Sequence, residues 1–242
     1  MTEATDLDAI RKDVALANRL LANEGVLDAF GHVSVRHPAR RDRYLLSVAG
    51  PPALIRPEDV IEYDLDGRPF PEDGRAHYAE RVIHAEIYRA RLDVAAVCHH
   101  HAAAILPFCV SGVPLAPVSQ LGAVIGRVAP FWDSRDDFGD TNLLLTRAEE
   151  GASLAAALGP HWIVLMRRHG ATVVGTNLRE MVYRAVHSTE NAAAQAAAAA
   201  LGAVAPLTPG EADRAGVIRE GPVERCWRHW TARLAASGGD AA

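Results

Sequence analysis

The segment at residues 94–101 constrains the fold of this chain more than any other. Five apolar residues lead directly into three consecutive histidines, and a short unbroken apolar run is typical of a strand buried within a sheet. Side chains alternate between the two faces of a strand, so His99 and His101 share one face while His100 points to the other. The pattern therefore predicts a buried strand that presents two imidazoles on the same side.

The segments around this strand predict a layered α/β fold. An apolar helical spacing from Val14 to Leu21 ends at Gly25, a residue type favoured just after a helix. Further helices are predicted over residues 79–91, 178–201 and about 210–234, and further strands over residues 30–36, 44–48, 60–65, 113–118, 163–166 and 171–174. Helices and strands in this order favour one sheet with helices packed on both faces.

The composition argues against several classes of protein. With 25 Lys and Arg against 30 Asp and Glu, the net charge of −5 gives no basic surface for nucleic acid or an anionic membrane. The longest apolar stretches, such as residues 192–201, are far shorter than the roughly 20 residues of a membrane span. The N-terminus is polar and acidic, unlike a secretory signal, and three cysteines without a CxxC pair do not predict a disulfide framework. We therefore expect a cytoplasmic protein without a nucleic-acid or membrane partner.

The histidines predict a divalent-metal site. Two imidazoles two residues apart on one strand face can both reach an ion at the ~2.0–2.1 Å of a zinc–nitrogen bond. His169 is the best third ligand, because Gly170 after it allows the backbone to turn sharply and approach closely. Glu80, on the helix that leads into the histidine strand, can supply a fourth. Taken alone, each of these residues also fits a role without metal, as a hydrogen-bonded structural histidine or a solvated helix glutamate.

Six motifs together resemble those of the class II aldolase/adducin family. They are Gly31-His32-Val33-Ser34-Val35-Arg36, Pro57-Glu58-Asp59, Asp64-Leu65-Asp66-Gly67, Glu80 with His84, His99-His100-His101, and His169-Gly170. The resemblance runs from about residue 10 to 205, and a C-terminal helix at about 210–236 completes a single domain over residues 1–242. It implies a three-layer α/β/α fold around a mainly antiparallel sheet, and a homotetramer with active sites at the subunit interfaces.

The resemblance also implies a cofactor and its ligands. His99, His101 and His169 would bind one divalent transition metal per subunit, with Glu80 as a further ligand or as an acid/base group. Zn²⁺ is the default ion of the aldolase branch, while Mn²⁺, Fe²⁺ and Co²⁺ also suit a site of histidines and a carboxylate.

Three departures from the family pattern argue against a sugar-phosphate substrate. His32 stands where the family has a phosphate-binding asparagine, Ala49 replaces a loop serine, and Tyr78-Ala79 replaces a Ser-Ser pair. A phosphate dianion needs several such donors, so the loss of three together disfavours a phosphorylated ketose. Phosphate binding through Arg36 or through a second subunit stays open as an alternative.

The pattern is closer to the family's branch of hydroxy-substituted aromatic and pyridine carboxylate decarboxylases. This resemblance implies a metal-dependent lyase that decarboxylates a small hydroxy-aromatic carboxylate through a metal-stabilised enolate or phenolate. The candidate catalytic residues are Glu80, His32 and Tyr183, and the candidate substrate-binding residues are Arg36, Ser47 and Arg168. Two alternatives stay open: an aldolase or epimerase acting on a non-phosphorylated hydroxy-keto compound, and a non-catalytic scaffold similar to the adducin head domain.

Overall fold

The computed structural model describes residues 7–239, which form eight helices and eight strands. In chain order these are α1 (Leu7–Asn23), β1 (His32–Arg36), β2 (Arg43–Ser47), β3 (Val60–Asp64), β4 (Pro69–Phe70), α2 (Arg81–Ala90), β5 (Ala96–His100), α3 (Leu106–Ser111), β6 (Phe131–Trp132), α4 (Ser134–Phe138), α5 (Ala148–Leu158), β7 (Ile163–Met166), β8 (Gly170–Gly175), α6 (Leu178–Leu201), α7 (Pro209–Ala215) and α8 (Glu220–Ala236). Short 3₁₀ helices lie at Pro52–Leu54, Pro57–Asp59 and Leu121–Ile125.

The strands form one sheet in the order β4-β3-β2-β1-β5-β8-β7-β6. Neighbouring strands pair antiparallel except β6 and β7, which pair parallel. The histidine strand β5 lies inside the sheet between β1 and β8. In this register His99 stands opposite His32 of β1 on one side and opposite Thr172 of β8 on the other. The sheet therefore brings together side chains from three separate parts of the sequence.

Side-chain alternation divides the core into two layers, one on each face of the sheet. Val33, Val35 and Cys98 pack with buried residues of α1, α6 and α8. Tyr44 and Val97 pack with buried residues of α2 and α5 on the opposite face. This arrangement confirms the expected α/β/α architecture with a mainly antiparallel sheet.

The polar residues of β1 and β5 take the alternate positions on these strands. Ser34 hydrogen-bonds to side chains of α2, which places Ser34, His32 and His99 on the face covered by α2 and α5. His100 is fully buried on the other face. The opposite orientations that the sequence predicts for His99 and His100 are therefore observed.

One predicted strand is absent, since residues 113–118 have no strand partner. Their backbone groups bond to two side chains of α6 instead: Asn191 accepts from the Val118 amide and donates to the Ala116 carbonyl, and Gln195 accepts from the Ala116 amide. Pro114 and Pro117 have no amide proton to donate to a neighbouring β-strand. The apolar run predicts a strand, but most of its hydrogen bonds are made to side chains of α6, and Leu115 and Pro117 accept from the amides of Ala129 and Leu207.

The C-terminal segment also differs from the expectation of a single helix at about 210–236. The chain forms α7 and α8, and α7 ends at Ala215 before Gly216. Pro222 lies in the first turn of α8, where its missing amide proton costs little, whereas inside one long helix it would remove a hydrogen bond and clash with the preceding turn. The proline therefore marks a new helix start.

Two further expectations concern the membrane and the cysteines. No helix within residues 7–239 combines the length and the apolar character needed to cross a bilayer. Cys98, Cys109 and Cys226 are all unpaired thiols, and the first two are buried. The expectation that the cysteines form no disulfide framework is confirmed.

Candidate metal centre

Four side chains predicted as metal ligands converge on one point. The Nε2 atoms of His99, His101 and His169 lie 3.0, 3.1 and 3.3 Å from one another. The carboxylate of Glu80, at the N-terminus of α2, lies 3.5 Å from His169 Nε2 and 3.7 Å from His99 Nε2. One ligand atom from each of the four residues fits within 4.8 Å of the others. The structure thus brings the predicted ligand set together.

Each of the three histidines is held through its other ring nitrogen. His101 Nδ1 lies 3.2 Å from both carboxylate oxygens of Asp28, and His169 Nδ1 donates to the carbonyl of Leu143 at 2.6 Å. His99 Nδ1 lies 3.3 Å from the hydroxyl of Thr172. Metal-binding histidines characteristically make such outer hydrogen bonds, which orient the ring and set the tautomer.

These partners determine where the ring protons are. A carbonyl and a carboxylate only accept hydrogen bonds, so His169 and His101 carry their protons on Nδ1. The Thr172 hydroxyl donates to Met166 Sδ, so it accepts from His99 Nδ1. When the three rings are neutral, all three Nε2 atoms turn lone pairs towards one another, an arrangement that a cation between them would stabilise. The donor set fits a divalent transition metal.

Burial and the neighbouring groups shift the pKa values of the side chains at the centre in different directions. Burial, together with the neighbouring histidines, holds the pKa of His99 well below its usual range. Burial lowers the pKa of His169, but the hydrogen bond and charge of Glu80 and the Leu143 carbonyl outweigh it and raise that pKa overall. Burial raises the pKa of Asp28, yet hydrogen bonds from two backbone amides and from His101 lower it overall. Asp28 therefore remains a carboxylate that favours the proton on His101 Nδ1.

A loop between α4 and α5 positions two of the four ligands. The Leu143 carbonyl accepts from His169, and the Leu145 amide donates to Glu80 Oε1 at 3.2 Å. Leu143 adopts φ = 68°, in the left-handed region that non-glycine residues rarely occupy. Arg168, directly before His169, has φ = 54°. Backbone strain of this kind clusters at functional sites, and here both strained residues adjoin the histidine centre.

Gly170 has the close approach that its sequence position predicts. A Cβ at this position would lie 2.2 Å from the carbonyl oxygen of His100 and 3.0 Å from the ring of His101. A side chain there would therefore collide with the backbone of the histidine strand. The glycine allows β8 to approach β5 next to the metal ligands.

A cavity of about 350 Å³ opens onto the centre. Glu80, His101, His169 and His32 line it. Phe30, Tyr78 and Leu144 supply most of its remaining wall, and Phe30 and Leu144 are 72% and 46% exposed. The cavity lining is thus largely apolar and includes three histidines and one glutamate.

His32 joins this site, but the other candidate residues do not line the cavity. Ser47 is fully buried at the end of β2, and Arg36 points its guanidinium at the backbone carbonyls of Tyr88, Arg91 and Val94. Tyr183 of α6 packs against His187 and Trp230. Arg168 adjoins His169 in sequence, but its side chain is exposed and does not contribute to the cavity wall.

Sequence reasoning missed three groups that hold the centre: Asp28, Thr172 and the Leu143 carbonyl. Asp28 and Thr172 lie 73 residues from the histidines they contact. The Leu143 carbonyl is a backbone group that any residue type could supply. Thr172 had one available signal, since it lies three residues after His169 on a predicted strand. Nothing in the sequence alone indicated that Asp28 contacts His101.

Comparison with known proteins agrees with the fold. The family described as Class II Aldolase and Adducin N-terminal domain matches residues 12–196. Decarboxylase tropJ of Talaromyces stipitatus is 33% identical over 247 residues, covering 90% of this chain and 91% of the relative. The 3,4-dihydroxyphthalate decarboxylase of a Terrabacter species is 30% identical over 237 residues, covering 93% and 97%. An aldolase II superfamily protein from Pseudomonas syringae superposes with a TM-score of 0.82 at 24% identity, covering 98% of this chain and 96% of that one.

The chain therefore belongs to the class II aldolase/adducin family. It is a class II aldolase-like domain whose similar relatives include decarboxylases, and it carries a cluster of one glutamate and three histidines able to bind a metal.

Proposed function

We propose that this protein is a divalent-metal-dependent lyase that removes CO₂ from a hydroxy-substituted aromatic or heteroaromatic carboxylic acid. The observation that carries the proposal is the apolar cavity that opens directly onto the cluster of Glu80, His99, His101 and His169. An apolar lining that includes Phe30 and Leu144 suits an aromatic ring, and the glutamate and histidines of the same lining suit its polar groups. Two decarboxylases among the relatives that span nearly the whole chain support the same reaction class.

The reaction breaks the bond between a ring carbon and its carboxylate. The electron pair of that bond stays on the ring and is delocalised towards the neighbouring hydroxyl oxygen, and the ring carbon then takes up a proton. When bound, a divalent cation supplies Lewis-acid stabilisation for the negative charge on such an oxygen. His99, His101 and His169 would hold it through their ring nitrogens, and Zn²⁺, Mn²⁺, Fe²⁺ and Co²⁺ all suit this set.

Glu80 has the position to move the proton. Its carboxylate lines the cavity, accepts a hydrogen bond from the Leu145 amide through Oε1, and lies within 3.7 Å of two ligand histidines. A general acid must lie within hydrogen-bond reach of the atom it protonates, or one water away. Glu80→Gln separates its two possible roles: loss of activity with metal retained indicates proton transfer, and loss of both indicates a ligand.

The test combines metal analysis with product analysis. Purified wild type is expected to bind about one equivalent of transition metal per chain, and His99→Asn and His169→Asn are expected to lose it. His229→Asn is the matched control, since His229 is exposed on α8. Release of CO₂ is then measured with 2-hydroxybenzoate and 3,4-dihydroxyphthalate. Wild type that binds no metal after reconstitution would overturn the proposal in favour of a scaffold, and release of an aldehyde from hydroxy-keto compounds would favour an aldolase.

We also propose a homotetramer with the cavity at a subunit interface. The exposed Phe30 and Leu144 at the cavity wall support a second chain packing near this edge. Light scattering on the purified protein tests this: four chains per particle is the expected mass, and a monomer with full activity would refute it.

A further inference from the structure

A buried chain of hydrogen bonds leads from the cavity into the core behind it. His32 Nδ1 lies 2.6 Å from His84 Nε2, and His84 Nδ1 lies 2.6 Å from the Ser34 hydroxyl. The Ser34 hydroxyl lies 2.8 Å from the hydroxyl of Tyr88. The four side chains are between 0 and 1% exposed, so protein atoms alone decide how their protons are placed.

The donor and acceptor in each of these hydrogen bonds follow from the Tyr88 hydroxyl, which lies at the inner end of the series. Within residues 7–239 the Tyr88 hydroxyl has Ser34 as its single hydrogen-bond partner. Burial raises the pKa of Tyr88, so the hydroxyl keeps its proton and donates it to Ser34. Ser34 then donates its own proton to His84 Nδ1. In the reverse direction the Tyr88 proton would be buried without an acceptor, which is unfavourable.

The same matching of donors to acceptors determines which nitrogen is protonated in the rings of His84 and His32. Burial lowers the pKa of His84 to about 3, so its ring is neutral and carries one proton. Because Nδ1 accepts from Ser34, that proton is on Nε2, and His84 donates it to His32 Nδ1. An imidazole that accepts a hydrogen bond at Nδ1 carries its proton on Nε2, and the ring of His32 lines the cavity.

We infer that His32 is a fixed Nε2–H hydrogen-bond donor to the substrate, and that His84, Ser34 and Tyr88 are positioning residues that set its tautomer. A ring in this tautomer has no lone pair to offer on Nε2, so His32 is neither a further metal ligand nor a proton acceptor. Its centroid lies 5.2 Å from that of His99, beside the metal centre. A preorganised donor here stabilises the substrate oxygen that gains negative charge as CO₂ leaves. That last step rests on the proposed function, whereas the tautomer does not.

The first experiment reads the tautomer without any substrate. Zinc-loaded protein labelled with ¹⁵N in its histidine rings is studied by long-range proton–nitrogen correlation, and a His32→Gln variant identifies the His32 signals. We expect a neutral ring with Nε2 protonated and Nδ1 unprotonated. A proton on Nδ1, or a protonated ring at neutral pH, would overturn the inference even if the protein is a decarboxylase.

The second experiment tests the positioning role. His84→Phe fills the ring volume without hydrogen bonds, so we expect a loss in kcat of about 10²-fold, the size of losing one such donor, with KM and metal content nearly unchanged. His84→Gln can accept from Ser34 and donate to His32, so it is expected to restore most of the lost kcat. Tyr44→Phe is the matched control, since Tyr44 stacks beside His84 but its hydroxyl bonds elsewhere, to the Arg81 carbonyl at 3.4 Å.

These variants are assayed with the acid that releases most CO₂ in the panel above. Equal kcat for His84→Phe and wild type would refute the positioning role, and so would an equal loss in Tyr44→Phe. If His84→Phe does not fold, His84→Gln and the wild-type tautomer decide the matter. Absence of decarboxylation with the expected tautomer would refute the proposed function and the substrate contact, but leave the hydrogen-bond chain in place.

Discussion

Acid stability offers a direct measure of how His84 is buried. Its pKa is lowered from the ordinary 6.5 to about 3 by burial, so the unfolded chain binds a proton at mildly acidic pH that the folded chain does not. The stabilising contribution of the neutral ring is therefore complete above pH 6.5 and is lost as the pH falls towards 3. His84→Gln removes this titration while retaining an acceptor for Ser34 and a donor for His32.

The expected magnitude follows from the size of the shift. Each pH unit below the unfolded pKa costs about 1.4 kcal/mol per group, so His84 destabilises the wild type by about 2 kcal/mol on going to about pH 5. His32, His99 and His100 also have lowered pKa values, and because all three are present in both proteins their contributions largely cancel in the comparison. The free energy of unfolding of wild type, relative to His84→Gln, should thus fall by about 2 kcal/mol between about pH 7.5 and about pH 5.

Urea unfolding of the metal-free proteins, at equal chain concentration and in the presence of a chelator, measures this difference. Removing metal is necessary because protons compete with metal for the histidine ligands and would add their own pH dependence. A difference between the two proteins that does not change with pH would refute the reasoning, because it would mean that His84 binds no fewer protons folded than unfolded.

Three other perturbations give separate expectations. Asp28→Asn should weaken metal affinity by about 10- to 100-fold in a competition titration, whereas the exposed Asp66→Asn should leave it unchanged. Gly122→Ala would place a Cβ 1.9 Å from Asn191 Oδ1, so a loss of about 1–3 kcal/mol is expected in urea unfolding, and unaltered stability would contradict the close packing. A thiol reagent should modify Cys226 and leave the two buried cysteines unreacted until urea is added; three fast-reacting thiols in the native protein would show that the core is open.

The regular elements were predictable where local spacing decides the structure. Helix α6 spans Leu178–Leu201, as its pattern predicts, and strand β7 spans Ile163–Met166, also as predicted. The strand predicted at residues 113–118 was wrong, because the hydrogen-bonding groups that the segment meets belong to a helix about 75 residues further along the chain. Local pattern gives the tendency of a segment, and its partners decide the outcome.

Some features of the candidate site were also predictable from local sequence, whereas others depend on tertiary contacts. The alternation of a β-strand is a local property, so the sequence alone placed His99 and His101 on one face, and the glycine after His169 allowed for close approach. The partners of the ring nitrogens were not accessible from sequence, because Asp28 and His84 contact their histidines only through pairing of distant strands and helices. The sequence alone predicted which residues form the candidate metal centre. Tertiary structure decided which tautomer each ring adopts, because the protons of an imidazole are placed by whatever donors and acceptors the fold packs against it.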